Sequence, residues 1–156
     1  MNVNTRLKKM RKSRGFTLVE LLIVIIIIGI LAGGMLLVAG GGTDKANATK
    51  IVSDLRTLKT AALMYYADTD SWPAQGEIKK ELIGYIDRDL TGDGYEWYDA
   101  STGSFDLTVG YDGDLMNEDG VREKLAGMAE KSGLYGDATA DTVFAVDDDI
   151  VYMVVK

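Results

Sequence analysis

The sequence predicts an α+β protein in which a long N-terminal helix packs on a small antiparallel β-sheet head. Three observations support this fold class. Residues 16–39 form an apolar run with one charge, residues 43–70 place apolar side chains at helical spacing, and the residues after Trp72-Pro73 alternate strand-like runs with turns. We therefore expect a basic leader at residues 1–15, a transmembrane helix at 16–42, its amphipathic continuation at 43–70 and a globular head at 71–156.

The leader differs sharply in charge from the rest of the chain. The 156 residues have a net charge of -7, but residues 1–15 hold six basic side chains and no acidic one: Arg6, Lys8, Lys9, Arg11, Lys12 and Arg14. The other residues hold 11 basic and 24 acidic side chains. Such an acidic body argues against nucleic acid as a partner, because phosphate binding requires clustered cations. A basic segment beside an apolar run is typical of the cytoplasmic side of a membrane span.

The apolar run is long enough to cross a bilayer. Its 24 residues would rise about 36 Å as a helix, at about 1.5 Å per residue. A buried helix of a soluble protein is the alternative, but residues 21–28 contain no polar side chain at all. A secretory signal peptide has an apolar region of about 7 to 15 residues and is disfavoured by length. We expect a single span of the cytoplasmic membrane with the N-terminus inside.

Glu20 is the one charged residue of the apolar run. A carboxylate within the membrane costs about 2.5 to 3.5 kcal/mol, and such groups usually mark function. The alternative is that Glu20 reaches water at the cytoplasmic interface, since only four residues separate it from Gly15.

The string Gly15-Phe16-Thr17-Leu18-Val19-Glu20, between a basic leader and a long apolar run, resembles the class III signal of type IV prepilins. The resemblance implies the pilin fold, cleavage between Gly15 and Phe16 by a prepilin peptidase, and N-methylation of Phe16. It implies a homo-oligomeric helical filament built by inner-membrane assembly machinery. The subunit would reside in membrane lipid before assembly and in a periplasmic or extracellular filament afterwards.

Charge balance gives Phe16 and Glu20 a role in assembly. Cleavage at Gly15 would remove all six leader cations and leave one amine at Phe16, whose charge methylation retains. The Glu20 carboxylate of one subunit can then neutralise the amine of another, and a misregistered neighbour would leave both charges unpaired. This pairing would set the register of the filament.

Glycines mark the middle of the long helix. Gly29, Gly33 and Gly34 permit close helix approach in lipid, and each weakens the helix by about 0.8 to 1.0 kcal/mol relative to alanine. We expect residues 40–42 to end the apolar helix, and a second helical stretch to run from after Thr43 to about Asp70. A proline present in many type IV pilins is replaced here by Leu37.

The second helical stretch has one apolar face and ends before a proline. Its apolar residues recur at three- and four-residue spacing, and Asp54, Lys59 and Asp68 are expected off that face. Trp72-Pro73 should stop the helix. The apolar residues are Ile51, Leu55, Leu58, Ala62 and Tyr65.

The head is predicted to contain two short helices and four strands. Residues 77–86 and 121–131 have helical patterns, and residues 95–97, 105–109, 143–146 and 150–155 have strand character. Asp147-Asp148-Asp149 is interpreted as a charged hairpin turn.

Two stretches are similar to the major pseudopilin of type II secretion. One is residues 57–66 followed by Trp72-Pro73, and the other is residues 89–95 followed by residues 105–107 and 110–113. Residues 115–156 depart from that family. A secretion pseudopilin is therefore the alternative to a pilus subunit.

Calcium is the one cofactor that the sequence raises, and none is required by the predicted function. Residues 89–94 match the first half of a calcium loop through Asp89 and Asp93, but Ala100 stands where a closing glutamate belongs. The resemblance to pseudopilins, which bind calcium in sheet-connecting loops, adds Asp112. Aspartates and glycines that simply form turns are the alternative.

No catalytic residues are predicted, and the chain is interpreted as a non-enzyme. It contains no histidine or cysteine, which excludes imidazole and thiolate chemistry. Two rivals remain: a membrane-anchored ligand-binding head that does not polymerise, and a minor subunit that primes filaments.

Overall fold

A computed structural model describes residues 16–77, 80–99 and 106–156 of the chain. It divides into two compact units, Met1–Val38 and Ala39–Lys156, here called the N-terminal unit and the C-terminal unit. Gly15, the predicted cleavage residue, lies outside the described residues.

Helix α1 runs from Leu18 to Thr69, a length of 52 residues. The expectation that residues 40–42 end the helix is wrong, because α1 continues through them. Each glycine weakens a helix by only about 0.8 to 1.0 kcal/mol and leaves every backbone hydrogen bond in place. Proline, which removes a donor and clashes, is absent from α1.

In the N-terminal unit, α1 is apolar on all sides. The 18 residues Leu18–Met35 are long and apolar enough to cross a membrane, and none of them is buried within the protein. A helix without a polar face needs lipid or other apolar helices around it. This agrees with the predicted membrane helix.

In the C-terminal unit, α1 buries the predicted apolar face. Ile51, Leu55, Leu58 and Ala62 are fully buried, and Tyr65 is half-buried against the same core. Asp54 is an exception to the prediction: it was expected off this face, yet only 5% of it is exposed. Its partners, described below, explain how a carboxylate is accommodated there.

The end of α1 agrees with the predicted stop at Trp72-Pro73. The last helical residue is Thr69, and Asp70 adopts a left-handed conformation with φ of 53°. The backbone N–H of Asp70 donates to the carbonyl of Tyr66 at 2.8 Å, closing the last turn.

Four antiparallel strands form one sheet in the order β1-β2-β3-β4. They are β1 (Gly76–Glu77), β2 (Tyr95–Asp99), β3 (Leu107–Tyr111) and β4 (Val151–Val154). Trp97 pairs with Val109, which pairs with Met153, and all three side chains belong to the core that includes the buried face of α1. The α+β fold with an antiparallel head is confirmed.

Three head predictions need correction. The helix predicted at residues 77–86 is a short 3₁₀-helix, Lys80–Tyr85, preceded by β1. The strand predicted at 143–146 is absent; Val143 makes a single bridge to Tyr135, and Val143 and Val146 are exposed. The turn at Asp147-Asp148-Asp149 exists, since Asp148 N–H donates to Ala145 O at 3.2 Å, but no strand precedes it to form a hairpin.

Helix α2, Asp119–Ser132, confirms the helix predicted at residues 121–131. It buries Val121, Leu125 and Ala129 and is capped after Ser132 by Gly133, whose φ of 66° suits glycine. At its first turn, Asp44 of α1 lies so close to Gly120 that a Cβ there would overlap Asp44 Oδ2. Of the strand predicted at residues 105–109, Leu107 to Val109 belong to β3, and Phe105 lies outside the described residues.

Candidate assembly site

Phe16, Thr17 and Glu20 lie at the start of α1, where Thr17 and Glu20 are hydrogen-bonded to each other. Thr17 precedes the first helical residue, and its hydroxyl accepts a hydrogen bond from Glu20 N–H at 3.2 Å. In return, Glu20 Oε2 accepts from the Thr17 N–H at 2.9 Å and from the Thr17 hydroxyl at 2.7 Å. This reciprocal arrangement is a capping box, which satisfies backbone N–H groups that a helix start leaves free.

The capping box leaves Glu20 available to other molecules. Glu20 is exposed, and its hydrogen bonds in the described part of the chain all engage Oε2. Phe16, one residue before the box, is 76% exposed. The carboxylate is therefore oriented at the positive end of the helix, where a negative charge is favoured, while one oxygen can accept a further donor.

The role of Thr17 was not predicted from the sequence. The signal was present, because Thr-x-x-Glu before an apolar run is the spacing of a capping box.

An apolar surface follows this polar start. Between Leu18 and Met35, the large apolar side chains are from 45% to 87% exposed. A contiguous surface of this kind is unstable in water and marks a membrane or protein contact. Glu20 is the one ionisable residue within it.

A second polar cluster, also not predicted, fixes α1 to the sheet within the C-terminal unit. Asp54 Oδ2 accepts a hydrogen bond from the Tyr95 hydroxyl at 2.8 Å, and Asp54 Oδ1 pairs with the Arg88 guanidinium. Burial, and then the bond to Asp54, raise the pKa of Tyr95 well above its ordinary range. These two partners compensate the cost of burying the carboxylate.

The predicted calcium ligands Asp89, Asp93 and Asp112 lie in or beside turns of the head. Asp89 Oδ1 accepts from the Thr91 N–H at 2.9 Å and from its hydroxyl at 2.5 Å. Asp112 N–H donates to Gly94 O at 3.0 Å, so Asp112 lies beside the loop that contains Asp93. Within the described ranges, no three acidic side chains are grouped to hold a metal ion. Calcium binding by these residues stays an untested prediction.

Comparison with known proteins gives matches along most of the chain. A family model described as the prokaryotic N-terminal methylation motif matches residues 10–36, and one described as PilW, C-terminal, matches residues 42–106. The type II secretion system core protein G of Vibrio cholerae is 33% identical over 126 residues, covering 69% of this chain and 86% of the relative.

Two further matches are a second sequence relative and a solved structure. The type II secretion system core protein G of Escherichia coli K12 is 33% identical over 130 residues, covering 70% of this chain and 90% of the relative. Among solved structures, the major type IV pilin PilA1 of Clostridium difficile matches with a TM-score of 0.49 and 24% identity, covering 74% of this chain and 98% of that one.

Proposed function

Because the chain belongs to the type IV pilin-like prepilin family, we propose that it is made as a prepilin and becomes the structural subunit of a type IV pilus-like filament. The observation that carries the proposal is the methylation motif at residues 10–36, which contains both Gly15 and Glu20. The family is structural, and we assign no catalytic residue to this chain.

Maturation prepares the N-terminus for assembly. Cleavage of the Gly15–Phe16 bond by a prepilin peptidase removes the six cations of the leader and leaves an amine on Phe16. N-methylation of that amine keeps its positive charge. The apolar helix then carries two opposite charges, the Phe16 amine and the Glu20 carboxylate, about one turn apart.

These two charges direct assembly when subunits are staggered. The Glu20 carboxylate of one subunit binds the Phe16 amine of its neighbour, which reduces the cost of holding either charge in an apolar core. The capping box supports this role, since it orients Glu20 at the helix start and engages only Oε2. A subunit in the wrong register would lose the pairing.

Before assembly, the N-terminal helix anchors the subunit in the membrane. The apolar stretch Leu18–Met35 supports this, and the basic leader supports an N-terminus on the cytoplasmic side. Inner-membrane assembly machinery then extracts the subunit into a filament that lies in the periplasm or outside the cell.

The second candidate function is that of a major pseudopilin in type II secretion. The two core protein G relatives at 33% identity favour it. The two functions predict different losses when the gene is deleted: surface filaments in one case, protein export in the other.

Mass spectrometry of the mature N-terminus tests the maturation step. We expect a chain that begins with N-methylated Phe16. A mature protein that begins at Met1 would refute the processing and with it the release of the Phe16 amine.

A pair of variants separates assembly from helix capping. Thr17→Val removes the cap hydroxyl, which costs about 1 kcal/mol, and should lower filament yield only modestly. Glu20→Ala removes both the cap and the charge partner, so it should still insert in membranes but form few filaments. If both variants form filaments equally, Glu20 acts in capping alone and the pairing hypothesis is wrong.

A further inference from the structure

We propose that the C-terminal unit docks on a second copy of the same chain through two complementary surfaces. The first is the α1 stripe and the second is the acidic loop, residues 141–149. This inference rests on the filament proposed above and identifies which parts of neighbouring subunits meet. The α1 stripe consists of Thr49, Ser53, Arg56, Thr60, Leu63 and Ala67.

The α1 stripe is an unoccupied helix face. Its residues recur at three- and four-residue spacing, so they lie on one side of α1, and all six are exposed. The opposite side of the helix holds the buried core residues Ile51, Leu55 and Leu58. A cleft of ≈ 510 Å³ lies along the stripe and is lined by four of its residues together with Tyr85.

Exposed apolar side chains concentrate on these two surfaces. In the described part of the C-terminal unit, five large apolar residues are exposed. Leu63 and Met64 belong to or border the α1 stripe, and Val143 and Val146 belong to the acidic loop. The fifth, Tyr66, stacks on Trp72 at 4.3 Å between ring centroids. Apolar residues grouped in this way mark a contact surface.

The charges of the two surfaces are opposite. The α1 stripe contains the exposed Arg56. The exposed Lys45 lies beside the stripe, and Lys59 borders it. The acidic loop exposes three carboxylates: Asp141, Asp147 and Asp149. No ion pair within the described residues involves any of these six side chains. Opposite charges around apolar contacts would select the correct partner surface and its register.

The acidic loop is rigid enough to bind without first being ordered. Asp137 holds the start of the loop, accepting from the Thr142 N–H at 2.8 Å and from the Asp141 N–H at 3.2 Å. Asp148 holds its turn, accepting from the Ala145 N–H at 2.7 Å. Binding by a preorganised loop avoids an entropic cost.

The two surfaces suit an open filament. The residues of the α1 stripe and the apolar and acidic side chains of the loop named above are exposed within one copy, so each copy can offer both surfaces at once. A contact between two different surfaces repeats from copy to copy and produces a filament unless the rotation closes a ring. The occupant of the α1 stripe is therefore the acidic loop of another copy.

Cross-linking tests this contact directly, because the natural chain contains no cysteine. Two differently tagged full-length chains, one with Thr60→Cys and one with Val146→Cys, are expressed together, and their filaments are treated with a short bismaleimide. We expect a cross-linked heterodimer. The control pairs Thr60→Cys with Glu123→Cys, an exposed position on α2 outside both surfaces, and should stay at background.

The outcomes distinguish this inference from the proposed function. Normal filaments without the heterodimer would overturn the contact and leave the filament proposal intact. Absence of filaments from the unmodified chain would overturn both.

Charge reversal provides an independent check. Arg56→Glu should lower filament yield about tenfold, because it replaces an attraction with a repulsion. Adding Asp147→Lys and Asp149→Lys to the same chain should restore most of the yield. Lys131→Glu makes the same charge change on α2 and should change yield less than about twofold. Failure of the acidic-loop reversals to rescue Arg56→Glu would contradict the charge pairing.

Discussion

Replacing Asp54 with alanine should destabilise the C-terminal unit strongly. Asp54 is 5% exposed, and its carboxylate accepts from the Tyr95 hydroxyl at 2.8 Å and pairs with Arg88. Tyr95 is only 3% exposed. Without Asp54, the Tyr95 hydroxyl would be left in the core without its acceptor.

The expected loss follows from these two contacts. A hydrogen bond to a charged group contributes about 1.5 to 3 kcal/mol, and leaving a buried hydroxyl unsatisfied costs a similar amount. The Arg88 side chain is 48% exposed, so it can return to water and the ion pair adds about 1 kcal/mol at most. We therefore expect Asp54→Ala to lower the free energy of unfolding by about 2 to 4 kcal/mol.

The chain offers a matched control on the same helix. Asp68 accepts a hydrogen bond from the Tyr85 hydroxyl at 2.9 Å, but this bond is exposed: Asp68 lies at the surface and Tyr85 is only half-buried. Asp68→Ala should cost less than about 1 kcal/mol, because water replaces the lost partner. Urea unfolding of the full-length protein in detergent, followed by the fluorescence of Trp72 and the buried Trp97, measures both variants.

The comparison of the two variants is decisive. If Asp54→Ala costs no more than Asp68→Ala, burial does not determine the energy of these bonds and the reasoning is wrong. A double variant, Asp54→Ala with Tyr95→Phe, should recover about 1 kcal/mol or more relative to the sum of the single changes.

Two further predictions concern alkaline pH and helix packing. Burial raises the pKa of Tyr98, Tyr111 and Tyr152, and burial together with Asp54 raises that of Tyr95. As pH rises, the tyrosines of the unfolded chain therefore lose their protons before those of the folded protein. The free energy of unfolding should stay constant with respect to these groups below pH of about 10 and fall above it. Urea midpoints between pH of about 8 and 11 measure this, and a constant midpoint would contradict it. For packing, Gly120→Ala places a Cβ against Asp44 and should lower the free energy of unfolding by about 1 kcal/mol. Gly127→Ala, in an open part of α2, should raise it by up to about 1 kcal/mol, and a rise in both variants would show that Asp44 does not crowd Gly120.

Local patterns predicted much of the fold. The spacing of Ile51, Leu55 and Leu58 predicted which face of α1 is buried, and Pro73 predicted where α1 ends. These features depend on neighbours within a few residues, which a sequence displays directly.

Features that depend on distant residues could not be predicted in this way. Asp54 is buried although its position predicts that it lies off the apolar face. The local pattern does not reveal its partners, Arg88 and Tyr95, because they are 34 and 41 residues away in the chain. Residues 143–146 have strand propensity, but the carboxylate of Asp148 caps the Ala145 N–H and forms a turn instead. In both cases a tertiary contact outweighs the local preference.

The candidate assembly site was predicted in part. Phe16 and Glu20 were identified from charge and from a family resemblance, and their roles stay predictions. The Glu20–Thr17 bonds are local, and the spacing of a capping box could have revealed them.

The two edges of the sheet prevent unwanted strand pairing between neighbouring copies of the chain. At one edge, β1 is only two residues long. At the other, Tyr152 of β4 exchanges two backbone hydrogen bonds of 2.9 Å with Tyr135, which covers that margin. An open, long strand would recruit strands from adjacent molecules and seed amyloid-like aggregates. Sheets of this kind can therefore be held close together in a polymer without pairing edge to edge.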